Sequence, residues 1–163
     1  MTKYDDVDYH AGDALAKGQP EENAFTHIGT MLSWLIRHGL TRPKYFGPDI
    51  DREVKDGSLL PNDLRDFVDG QLVSDLLKPA GSAFLDAYYT SGYLADYQDE
   101  FAELSDYSVP DDPEHQLRID RRIDDAYERW LAAGRPKPST PDALWSRQDL
   151  KEGVRGDLPS DLY

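Results

Sequence analysis

The chain of 163 residues carries 32 acidic and 18 basic side chains, a formal charge of −14, and no cysteine. The missing cysteines exclude disulfides, thiolate metal sites and cysteine nucleophiles. The negative field opposes nucleic acid and anionic membranes and draws in basic proteins. With 39% hydrophobic and 31% charged residues, one domain with a modest core is expected. No apolar leader opens the sequence and no apolar run approaches the roughly 20 residues of a membrane span, so the expected address is cytoplasmic.

Residues 1–20 read as an irregular acidic arm ending at Pro20. The first strong helix runs from about Glu21 to His38, where Phe25, Ile28, Leu32, Leu35 and Ile36 recur at helical spacing and Gly39 supplies a stop. Thr26, Met31 and Trp34 fill its other faces, which marks it as the central helix. Residues 40–60, with Pro43, Gly47, Pro48 and Gly57, read as a loop with a helical turn around Asp51–Lys55; a minor β-hairpin is the alternative there. Pro61 starts a short amphipathic helix through Leu64, Phe67 and Val68, stopped by Gly70.

A further helix runs from Pro79 or Gly81 to about Leu104, with a bend expected at Ser91-Gly92. The last main helix is capped by Asp112, takes Pro113 in its first turn and ends at Gly134. Its buried stripe is Leu117, Ile119, Ile123, Tyr127, Trp130 and Leu131. Beyond it, the proline-rich 135–141 strap and the 142–163 tail, with Trp145, are expected to run over the body. The fold expected is therefore an all-α, compact bundle of about four main helices with long loops and an extended C-terminal tail. It divides into arm (1–20), helical body (21–134) and strap with tail (135–163), together one domain.

Two blocks resemble an uncharacterised bacterial domain family marked by a Thr-His-Ile-Gly helix. The first is Tyr4-Asp5-Asp6 with Tyr9-His10, then Ala24-Phe25-Thr26-His27-Ile28-Gly29 leading into Leu32-Ser33-Trp34. The second is Ala83-Phe84-Leu85-Asp86-Ala87-Tyr88-Tyr89 with Tyr93-Leu94, Asp96 and Tyr97. The resemblance covers roughly residues 4–100 and implies kinship without a mechanism. By type, such small acidic bacterial proteins resemble the immunity partners of toxins.

The most unusual feature is charge placement. Between Lys78 and Arg118 there is no Lys or Arg, yet nine acids occur. Asp96–Glu100 and Asp99–Glu103 are like-charge pairs at i, i+4, each destabilising by a few tenths of a kcal/mol. A ridge that repels itself is expected to meet a cationic partner, with tyrosines as anchors. The expected partner-binding set is Tyr89, Tyr93, Asp96, Tyr97, Asp99, Glu100, Glu103 and Asp106. The leading functional expectation is an immunity-type inhibitor of a basic toxin, not an enzyme, with no cofactor and no metal.

The alternatives are a metal-dependent hydrolase using His10, His27 and carboxylates, or a regulatory subunit docking through its C-terminal tail. For metal, Asp5, Asp6, Asp8 and His10 offer hard oxygens and one imidazole, without the spacing of a calcium loop. His27 reads by itself as a buried, hydrogen-bonded core histidine, and His38 as a partner of its helix C-terminus. No nucleophile elbow or phosphate-binding glycine loop is present.

Overall fold

A computed structural model of the protein describes residues 1–137. Strand β1 (Lys3–Asp6) is followed by α1 (Ala11–Ala16), α2 (Thr26–Arg37), α3 (Pro48–Lys55), β2 (Gln71–Val73), α4 (Pro79–Tyr88), α5 (Leu94–Glu100) and α6 (Pro113–Ala132), with short 3-10 turns between them. The mainly helical fold stands as expected; the additions are a small sheet and an ordered N-terminal segment.

Helix α2 is the axis. Every residue from Thr26 to Ile36 is buried, as its apolar side chains on all faces require. Gly29 lies against the 61–64 turn so closely that a Cβ there would meet the Pro61 carbonyl oxygen at 2.4 Å. At the other end of α2, Trp34 joins Phe84 of α4 and Tyr127 of α6 with ring centroids 5.6 and 5.3 Å away, and Trp130 stands 5.4 Å from Phe84. This aromatic cluster ties three helices together.

The N-terminal segment is no irregular arm. Strand β1 pairs antiparallel with β2, with Asp5 opposite Leu72, and the register shifts between Lys3 and Asp5. That irregularity breaks the in–out alternation of a regular strand, so Tyr4 is partly covered while Asp5 and Asp6 are both buried. Nothing in Lys-Tyr-Asp-Asp announces a strand; pairing and the contacts of its side chains override propensity. No hairpin forms in 40–60. That stretch holds α3, and Thr41 makes an isolated bridge to Leu77. The amphipathic helix expected after Pro61 is two 3-10 turns instead, and Phe67 is exposed.

The bend expected at Ser91-Gly92 is a π-helical turn, Tyr89–Tyr93, between α4 and α5. Such a turn carries an extra residue per hydrogen-bonded ring. Helix α6 starts as its punctuation dictates, with the Asp112 side chain accepting from the His115 N–H. Of the strap, Pro136 accepts a hydrogen bond from the Trp130 indole; the expectations for Trp145 and the rest of the tail lie outside the described residues. Among the described residues no helix is long and apolar enough to cross a membrane.

Candidate functional site

The expected acidic ridge is neutralised within the molecule. Glu100 accepts from the Nε atoms of Arg118 (3.0 Å) and Arg122 (2.9 Å), and Glu103 accepts from Arg118 (2.7 Å). Both arginines belong to α6. Asp106 pairs with Lys17, just past the end of α1, at 2.7 Å. Asp96 is buried, accepts from the Tyr88 hydroxyl and faces Arg122. The anchor tyrosines fare no better: Tyr89 and Tyr93 are wholly buried. Tyr97 is half-buried and lines a cavity, and Asp99 stands exposed. The premise of an unrelieved ridge is therefore corrected, and Tyr89, Tyr93 and Asp96 do not stand at the surface. Cations 15 to 89 residues away in sequence offset the negative charge.

What the fold does assemble lies near Tyr97, whose ring centre stands 6.0 Å from that of His27. The carboxylate of Asp5, 4% exposed, is ringed by four donors or donor-acceptors. The Nε2 of His10 stands 2.7 Å from its Oδ1, and the Nε2 of His27 stands 3.1 Å from its Oδ2. The Tyr89 hydroxyl donates to Oδ2 at 2.7 Å, and the Asp6 N–H donates to Oδ1 at 2.8 Å. The two imidazoles meet edge to face, 4.5 Å between centroids. One ligand atom from each of Asp5, His10 and His27 falls within 4.8 Å of the others, a spacing suited to a single metal ion.

Each group reaches this point for a local reason. Asp5 is turned inward by β1; His10 precedes α1; His27 occupies the first turn of α2, and its carbonyl accepts from Tyr93. The π-helical turn brings Tyr89 and Tyr93 to the same side, one under Asp5 and one under the backbone of His27.

Electrostatics follow the geometry. Burial pushes the Asp5 carboxyl up, but the bonds from His10, His27 and Tyr89 outweigh it and hold the group well below the usual carboxylate range. Burial lowers the His27 pKa against the pull of Asp5. Burial, then the neighbouring Asp5 charge, raises Tyr89 well above its ordinary value, so it stays a donor.

His10 and His27 line a cavity of about 520 Å³ together with Tyr97, Phe101, Leu104, Asp13, Lys17 and Tyr107. The metal alternative read from sequence is thus half realised. Asp5 and His10 converge, and His27 joins them. Asp6 instead caps the following turn by accepting from the Asp8 N–H and pairs with Lys3, and Asp8 is exposed. Tyr89 and Tyr107 escape sequence reading because they join the cluster from 84 and 97 positions away.

Residues 3–109 match the model of a family described as Domain of unknown function (DUF7832), and the chain belongs to that family. The match contains Asp5, His10, His27, Tyr89 and Tyr107, and excludes α6. No curated protein and no solved structure matches the chain.

Proposed function

We propose that this DUF7832 member is a metal-dependent hydrolase whose centre is Asp5, His10 and His27. The observation that carries the reading is the convergence of two imidazole nitrogens and one carboxylate oxygen beside a cavity large enough for a small molecule. The Nε2 atoms of His10 and His27 stand 2.7 and 3.1 Å from Oδ1 and Oδ2 of Asp5, so a metal would take the place of these two hydrogen bonds. The donor set of two nitrogens and one oxygen suits zinc or another first-row divalent metal. With three protein ligands a position stays open. A metal there supplies a Lewis acid that polarises a carbonyl or phosphoryl oxygen and acidifies bound water. The protein's own residues orient the histidines, exclude water behind them through Tyr89 and Tyr93, and offer an apolar wall to the substrate.

Metal analysis tests this directly. The protein, dialysed against zinc, manganese or iron and then metal-free buffer, is expected to retain about one ion per chain and to hydrolyse a member of an ester, amide and phosphoester panel in a chelator-sensitive way. A fully folded chain that retains none of these metals ends the reading.

The immunity-type inhibitor keeps the support of the −14 charge. Its sign would be salt-dependent binding to a basic protein, through a surface other than the neutralised ridge.

A further inference from the structure

Tyr107 is not one of the three ligands just proposed, yet its position is costly to maintain. It lies in the segment between α5 and α6 with φ of 59°, in the left-handed region that bulky residues avoid. Its carbonyl accepts from the Asn23 side chain at 2.8 Å, and the Lys17 ammonium sits 5.6 Å from its ring centre. These contacts hold its hydroxyl 3.1 Å from Nδ1 of His10, on the far side of the imidazole from Asp5. Asp13 lies near that hydroxyl, and after burial it is the main influence raising the Tyr107 pKa.

The proton inventory gives this arrangement a purpose. A neutral imidazole has one N–H and one lone pair, whereas a hydroxyl donates once and also accepts. Without metal, Nε2–H of His10 donates to Asp5, and Nδ1 accepts from the Tyr107 hydroxyl. A metal on Nε2 needs that lone pair, so the ring proton must sit on Nδ1. Tyr107 then accepts from Nδ1–H and turns its own proton toward Asp13. Phenylalanine could serve neither state.

Resting on the metal-centre reading, we infer that Tyr107 is a positioning residue: it holds the His10 ring so that Nε2 faces Asp5, and its hydroxyl accepts a hydrogen bond from Nδ1–H when a metal binds. Outer partners of this kind fix the tautomer of a ligating histidine, and losing one weakens metal binding about 10–100-fold.

The test compares wild type, Tyr107→Phe and Asp13→Asn by zinc titration against a competing chelator, by melting of the metal-free proteins, and by ¹⁵N-histidine NMR of the zinc forms. Expected are zinc affinity about 10–100-fold weaker in Tyr107→Phe, a smaller loss in Asp13→Asn, and little change in metal-free melting. The zinc-loaded wild type should show a slowly exchanging Nδ1–H on His10, which exchanges fast in Tyr107→Phe. Zinc binding by Tyr107→Phe within about twofold of wild type, or a large loss of metal-free stability that accounts for the weakening, overturns the inference and leaves the centre standing. Wild type that binds none of zinc, manganese and iron overturns the centre itself.

Discussion

The Tyr89 hydroxyl and the Asp5 carboxylate meet at 2.7 Å, both buried, one from the π-helical turn and one from a strand of four residues. This contact fastens the N-terminal segment to the body at the point where the two histidines converge. A buried hydrogen bond to a charged acceptor contributes about 1.5–3 kcal/mol.

Tyr89→Phe is therefore expected to lower unfolding stability by about 1–3 kcal/mol, because Asp5 keeps its other partners but loses a donor it cannot replace from water. Urea denaturation measures this. A midpoint unchanged from wild type would mean that Asp5 is not held from below.

The π-helical turn can be tested without touching the site. A Cβ on Gly92 would meet the Tyr88 ring at 2.5 Å, and Tyr88 is pinned by its hydroxyl to Asp96. Gly92→Ala should cost about 1–3 kcal/mol, as overpacking of a filled core does, even though alanine is the better residue for an ordinary helix. Stabilisation by this substitution would show that the turn is not kept in solution.

These two features also show where the sequence was legible. Ser91-Gly92 announced an irregularity, and the π-helical turn is that irregularity. Asp112, Pro113 and Gly134 announced α6 because capping chemistry is local. The strand pair was hidden: four residues with no alternating pattern pair across 65 to 70 positions, and only the partner makes them a strand. The site was half legible for the same reason. Asp5 and His10 stand five positions apart, but His27, Tyr89 and Tyr107 join them only through tertiary packing. Conversely, the acidic ridge looked unrelieved because Arg118 and Arg122 lie on a different helix, one turn apart, and face Glu100 together.

That pairing predicts opposite outcomes for neighbouring charges. Replacing Glu100 by lysine sets a third cation against Arg118 and Arg122 and should lower the melting temperature, more at low salt than at high salt. Asp99→Lys, on an exposed position of the same helix, should leave the melting temperature unchanged or raise it by relieving repulsion with Asp96 at i−3. Thermal melts of both variants at two salt concentrations decide the matter; equal behaviour would mean that the ridge is free after all.

Asp111 supplies the clearest pH dependence. Its Oδ1 is buried with no hydrogen-bond partner among the described residues, and its Oδ2 accepts from the Asn62 N–H at 3.2 Å. Burial, opposed by that bond and reinforced by the charges of Asp63 and Asp112, pushes its pKa up to about 6. A carboxyl raised on folding binds its proton more tightly in the native state. Its contribution to stability is complete below the unfolded value near 4 and is lost as pH rises through about 6. Asp111→Asn keeps an oxygen for Asn62 and removes the charge. It should be more stable than wild type by about 1 kcal/mol at pH 8, a figure reduced for the part of the side chain that water still screens. The advantage should shrink steadily toward pH 4, because wild-type Asp111 is by then protonated. Paired denaturation curves across that range isolate the effect from every other titrating group, since only the difference between the two proteins is read. An advantage that is absent at pH 8, or that grows as the solution is acidified, would mean that Asp111 is ionised comfortably in the folded protein.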